Sequence, residues 1–159
     1  MNRILVAYFS ATCVTAKTAE KLADAIGADI FAIEPDTAYT AEDLDWRDKN
    51  SRSSVEMNDL TFRPAVSRRR DNMEEYDTIF VGFPIWWYKA PTIINTFLES
   101  YNFAGKTIIP FATSGGSGMG KTNEYLVPSC PGAKLMEGKV FASNTAHVEF
   151  ITWVNELGL

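Results

Sequence analysis

The chain has 159 residues, of which 46% are apolar and 22% charged, with a net charge of −5. That is the make-up of one globular domain with a single core, spanning 1–159. The acidic balance argues against a nucleic-acid partner, which needs a basic face, and no run approaches the roughly 18 apolar residues that cross a bilayer. One histidine, His147, and two distant cysteines, Cys13 and Cys130, form no metal-ligand spacing, so no metal is expected. The few cysteines suit a reducing compartment.

Taken in order, Arg3 to Phe9 (RILVAYF) is a near-continuous apolar run. Such a run is expected of a strand covered on both faces. It is too short and too β-branched to serve as a signal peptide, so a cytoplasmic protein is expected. Thr15 to Ile26 follows with Ala19, Leu22, Ala23 and Ile26 at helical spacing. Asp29 to Ile33 is a second strand. Residues 36–72 are polar and irregular, with a short helix expected over Ala41 to Trp46. A loop of this length in a compact domain has a function, here a partner or substrate surface. Within it Arg68-Arg69-Arg70 is read as a solvated stretch before the acidic residues 71–75.

Thr78 to Phe83 is the next strand, and Pro91 to Ser100 a helix with proline in its first turn, where a missing N–H is harmless. Thr107 to Thr113 is a strand whose Pro110 suggests an edge or a bulge. Gly118 to Leu126 reads as helix, Lys134 to Ala142 as the last strand, and Ala146 to Leu157 as the last helix. Five strands with helical crossovers predict a doubly wound five-stranded parallel sheet with helices on both faces. Ligands of such sheets bind beyond the carboxyl ends of the strands.

Three strand ends carry chemistry. After the first comes Ser10-Ala11-Thr12-Cys13-Val14-Thr15, hydroxyls facing the start of a helix. Free amides and the helix dipole attract an anion there; alternatively one hydroxyl merely caps the helix. After the third comes Pro84-Ile85-Trp86-Trp87-Tyr88, where surface aromatics suit a planar ligand or a partner, or else form a lid over the sheet end. After the fourth comes Ser114-Gly115-Gly116-Ser117-Gly118-Met119-Gly120, whose bare backbone can approach a ligand closely or simply flex. Residues 115–122 also match the P-loop pattern G-x-x-x-x-G-K-[ST]. The strand near Lys139 to Ala142 ends in Ser143-Asn144 and TIFVGF ends in Pro84-Ile85-Trp86, so neither offers the acidic residue that would help hold magnesium, and a nucleotide-hydrolysing role is a minor alternative.

These loops resemble a known family. YFSATCVTAKTAEKLA resembles the phosphate loop of flavodoxins, and VGFPIWWYKAPTIINTFLESYNFAGKTIIPFATSGGSGMG resembles the two flavin-ring loops of a bacterial flavodoxin-like family. The match runs over nearly the whole chain. The resemblance implies FMN as cofactor, with Ser10, Thr12, Cys13, Val14 and Thr15 at its phosphate. Pro84, Ile85, Trp86 and Trp87 would lie on one side of the ring, and Ser114, Gly115 and Gly116 on the other. Flavodoxin loops usually have glycine where Cys13 stands and often asparagine where Val14 stands. If position 13 needs positive φ, cysteine costs on the order of 1–3 kcal/mol there.

The implied function is electron transfer between redox partner proteins, with the chemistry supplied by the flavin and no catalytic residue in the protein. An NAD(P)H-dependent quinone reductase on the same fold is the main alternative, and a binding module that has lost its flavin another. Adjacent extended residues point opposite ways, so one of Trp86 and Trp87 should face the ring while the other packs on its loop or meets a partner.

Overall fold

The computed structural model describes residues 3–114 and 118–158. Its sheet is built from β1 (Ile4–Tyr8), β2 (Asp29–Ala32), β3 (Thr78–Pro84), β4 (Thr107–Thr113), β5 (Lys134–Leu135) and β6 (Lys139–Phe141). All pairings are parallel, in the order β2-β1-β3-β4, with β5 and β6 both on the outer side of β4. This is the doubly wound α/β arrangement expected from the sequence, with the strand order that places ligands at the β1/β3 switch point.

Alternation along the central strands divides the core between two faces. Leu5, Ala7, Ile79, Val81 and Ile108 pack on one side with α3 (Thr92–Glu99) through Ile93, Ile94 and Phe97. Val6, Phe80, Ile109 and Phe111 pack on the other with α1 (Val14–Ile26) and α5 (His147–Glu156), through Ala19, Leu22, Phe150 and Trp153. Burying an aliphatic or aromatic side chain contributes about 1.5–3 kcal/mol each, and the strands read as apolar runs because both faces are covered. At Gly82 a Cβ would sit 2.2 Å from the Phe111 ring, so only glycine lets that ring lie against β3.

Four expectations need correction. Residues 41–46 form turns, and the helix of this region is α2 (Arg52–Asn58). Thr40 and Asp43 do exchange the reciprocal bonds of a helix start, Thr40 N to Asp43 Oδ2 at 2.9 Å and Asp43 N to Thr40 Oγ1 at 3.1 Å. The next carboxylates then take backbone amides for themselves, Arg47 N donating to Asp45 Oδ1 and Asn50 N to Asp48 Oδ1, which competes with helix propagation. Pro110 lies inside the sheet, not at an edge, because β4 pairs with β3 throughout; the bulge alternative fits the other side, where three steps along β4 face four along its partner. On the other side pairing stops at Ile108 and resumes at Phe111. The expected last strand, 134–142, is accordingly split into β5 and β6 around the residue that cannot donate a ladder bond. The helix expected over 118–126 begins only at Thr122, as α4 (Thr122–Leu126).

The excursion between β2 and β3 closes on itself at a neck. Pro35 and Val66 form an antiparallel bridge, Asp36 N donates to Ala65 O at 2.8 Å, and Ser67 N donates to Glu34 O at 2.9 Å. Arg63 ties it to the end of α3 through two bonds to the Glu99 carboxylate, at 2.8 and 3.0 Å.

Candidate functional site: three loops at the carboxyl edge of the sheet

The loops after β1, β3 and β4 meet at one edge. The Thr15 and Thr113 hydroxyls lie 2.7 Å apart and buried, joining the start of α1 to the end of β4. Ile85 N donates to Thr113 O at 2.9 Å, joining the β3 loop to the same point. Gly120, at φ +56°, lies so close under Tyr88 that a Cβ there would come within 2.7 Å of the Tyr88 carbonyl.

The start of α1 is built for an external acceptor. Cys13 is its N-cap residue, with φ 69° and ψ −8° in the left-handed region, and its side chain makes no capping bond. Positive φ at position 13 is therefore real, and a cysteine bears the strain that glycine would avoid. The Ser10 hydroxyl reaches forward to accept from Ala16 N at 3.1 Å. The amides of Val14 and Thr15 have no hydrogen-bond acceptor among the described residues, which leaves orphan donors at the positive end of the helix dipole. Thr12 and Cys13 are exposed beside them. Thr15 departs from the simple reading, since its hydroxyl is committed to Thr113 and only its amide remains available.

The β3 loop is a tight reversal. Trp86 N donates to Lys89 O at 2.9 Å and Lys89 N to Trp86 O at 3.0 Å, with Trp87 and Tyr88 between them at φ 49° and 63°. Positive φ at both central positions is the requirement of the hairpin turn that normally takes Asn-Gly. Here two bulky aromatics occupy it, each at a strain of order 1–3 kcal/mol. The three non-glycine residues with positive φ among the described residues, Cys13, Trp87 and Tyr88, all fall in these two loops. Trp86 turns inward, edge-on to Phe9 at 5.8 Å and to Tyr39 at 5.5 Å. Trp87 and Tyr88 stand out, 41% and 65% exposed. The two tryptophans thus point apart, through the left-handed turn at Trp87 and not through extended alternation.

Behind Trp86 lies a cluster that the sequence did not reveal. Tyr39 donates to the buried Glu56 carboxylate at 2.5 Å, Arg52 donates to the other Glu56 oxygen at 2.9 Å, and the Arg52 guanidinium lies 3.8 Å over the Tyr39 ring. Burial, then the hydrogen bond to Glu56, push the Tyr39 phenol well above its ordinary range, so it remains a neutral donor. Arg52 and Glu56 are four apart, a visible helix pair, but only once a helix is recognised there.

Pro84, Ile85, Trp86, Trp87 and Ser114 fall at the shared edge with Ser10, Thr12, Cys13, Val14 and Thr15; Gly115 and Gly116 lie outside the described residues. The P-loop alternative meets an obstacle at Thr122, whose side chain is fully buried and whose hydroxyl donates to Met119 O. No cluster of side chains suited to a metal ion and no helix long and apolar enough to cross a membrane occur among the described residues.

A parallel sheet in this order, with an uncapped helix start and an aromatic turn at its switch point, defines the flavodoxin-like class of α/β proteins. The flavodoxin family profile matches residues 3–157, and the chain belongs to that family. It is similar to a candidate flavoprotein from Bacteroides eggerthii, with 46% identity over 100% of this chain and 99% of that one at a TM-score of 0.95. One from Bacteroides uniformis shares 47% identity over 97% of this chain and 98% of that one, at 0.91. At 20% identity, a Lactobacillus acidophilus flavoprotein solved in complex with FMN covers 97% of this chain and 99% of its own, at 0.70, and shares the fold. No curated protein matches the chain.

Proposed function

We propose that this protein binds FMN and passes electrons between redox partner proteins. The observation that carries the reading is the start of α1, where the orphan amides of Val14 and Thr15 stand beside the exposed Thr12 hydroxyl, with left-handed Cys13 between. This is a cradle for one phosphate. No G-x-G-x-x-G follows β1, so a dinucleotide has no second phosphate site there. The residues present fit the mononucleotide: Ser10 braces the cradle through Ala16 N, and Pro84 to Trp87 would flank the ring on one side, with Ser114 and the glycines after it on the other by resemblance to flavodoxins.

Bound FMN supplies one- and two-electron chemistry. The residues of the β3 loop would orient the ring and wall it with apolar groups, and the chain as a whole carries a net charge of −5. Both features disfavour an anionic reduced ring and lower its potential. Titration of the apoprotein with FMN, followed by the quenching of flavin and tryptophan fluorescence, should give one site. Preferential binding of FAD, or no flavin binding, would overturn the reading. A carrier should not oxidise NAD(P)H with a quinone unless a separate reductase is added; turnover by the chain alone would make it a reductase.

A further inference from the structure

The backbone bonds of the 86–89 turn fix where the Trp86 side chain starts, but not where its indole points. Neighbouring rings set that. Trp86, Phe9 and Tyr39 stand mutually edge-on, with centroids 5.5–5.8 Å apart and interplanar angles of 70–90°. Each ring in such a trio restricts the tilt of the other two. Phe9 is buried just after β1. Tyr39 comes from the excursion between β2 and β3, where it turns inward among exposed neighbours at 36–38 and 40.

Tyr39 is held on three sides by α2. Its hydroxyl donates to Glu56 Oε1 at 2.5 Å, and Arg52 Nε donates to Glu56 Oε2 at 2.9 Å. The Arg52 guanidinium lies 3.8 Å over the Tyr39 ring, and its Nη1 donates to Thr37 O at 2.7 Å. Two residues one helical turn apart thus fix the direction of the hydroxyl, one face of the ring and the backbone beside it. Glu56 is 3% exposed. Desolvating such a carboxylate offsets most of what its pairing gains, so the cluster adds little net stability over an apolar one of the same volume. It adds direction, which an apolar cluster lacks.

We propose that Arg52 and Glu56 are positioning residues: through Tyr39 they hold the Trp86 indole in the orientation that shapes the ring-side wall of the flavin site. The inference rests on the flavin reading and deepens it. The excursion between β2 and β3 then governs flavin affinity and potential from behind the wall, with Arg52 and Glu56 acting only through Tyr39 and Trp86. A looser indole would admit water to the reduced ring and ease its negative charge.

The test uses the full chain labelled with fluorotryptophan, in which fluorine NMR gives each indole its own signal and a Trp86→Phe variant assigns the relevant one. Tyr39→Phe keeps the ring and loses only the hydroxyl. In the flavin-free protein it should shift or broaden the Trp86 signal and leave that of Trp153, which packs on the other face of the sheet, in place. With FMN it should raise the dissociation constant about 3–10-fold, the loss of one hydrogen bond, and raise the reduction potential. Glu56→Gln should stay within about twofold of the parent, because an amide can accept from Arg52 and donate to the Tyr39 oxygen. Three results would overturn the proposal: a parent-like Trp86 signal in Tyr39→Phe, a displaced signal with affinity and potential unchanged, or losses in Glu56→Gln equal to those in Tyr39→Phe. A merely structural cluster would give the first of these, with only urea stability lowered. Failure of the parent to bind FMN would sink the flavin reading separately, and the Trp86 signal of the flavin-free protein would still decide for or against the hold of Tyr39 on the indole.

Discussion

The loops after β1 and β3 both hold non-glycine residues in left-handed backbone, but they are completed in different ways. The β3 turn satisfies itself: two reciprocal backbone bonds close it, and Trp86 is wedged edge-on between Phe9 and Tyr39. The β1 loop does not, since its N-cap residue makes no side-chain bond and the first amides of α1 have no acceptor among the described residues. One loop is finished by the protein, and the other is left for a ligand to finish. Strain in the first positions aromatic rings, whereas strain in the second aims amides at a single point.

The largest effect that tests this contrast should come from Trp86. Trp86→Ala removes both edge contacts and opens a hole beside Phe9, so stability to urea should fall by about 3 kcal/mol, the low end for truncating a large aromatic. Flavin affinity should fall as the turn loses its anchor. A change below about 1 kcal/mol would show that the two backbone bonds hold the turn unaided.

Trp87→Ala should separate the two properties. Trp87 makes no ring contact among the described residues and is 41% exposed, so urea stability should hardly move. FMN affinity should drop by about 1–3 kcal/mol, by analogy with base stacking, and the reduction potential should rise as water gains the reduced ring. Parent-like affinity and potential in this variant would take the outward tryptophan away from the flavin.

At Cys13 the expectation has the opposite sign. Cys13→Gly relieves φ 69° and should raise stability by about 1 kcal/mol, with FMN affinity equal or better. A tenfold weaker FMN complex would show that the thiol or its stiffness is part of the cradle.

The smallest effect should come from the tether of the excursion, remote from both loops. The Arg63 hydrogen bonds, with Ser129 helping, hold the Glu99 carboxyl below its usual value of 4.5. The folded protein favours the ionised form, so this contribution is present above about pH 4.5 and is lost as pH falls through the lowered value. Glu99→Gln should flatten the fall of stability with acid in that window, and it should leave flavin binding at neutral pH unchanged. Both side chains are partly exposed, so the change is expected to be slight. An identical acid profile in variant and parent would show that the tether contributes nothing.

What was legible in the sequence follows the same division between regular and irregular parts. β1, β3, β4 and α1 declared themselves because each buries a continuous or periodic apolar set, and the two-faced cover of the sheet wrote both faces into the strands. The positions of the three loops then followed from topology. The excursion was opaque because it buries polar residues: Ser53, Ser54 and Glu56 face inward on α2, and a helix with a polar inner face shows little apolar periodicity. A usable sign was present in Ser51, which caps α2 by accepting from Ser54 N. The Thr40 and Asp43 pair carried a similar sign and no helix followed, because the neighbouring carboxylates captured the backbone first. The sign of φ at Cys13, Trp87 and Tyr88 contradicts residue preference, so composition could not announce it.

The neck at Pro35 and Val66 has an evolutionary consequence. The entropic cost of closing a loop grows only slowly with length, by about 0.6 kcal/mol per doubling, and here closure is already secured before the chain wanders. Insertions, deletions or wholesale exchange beyond the neck should leave strand pairing in the sheet untouched. A lineage could therefore revise what sits opposite the aromatic turn, from one paralogue to the next, while the inherited scaffold and its phosphate cradle stay constant.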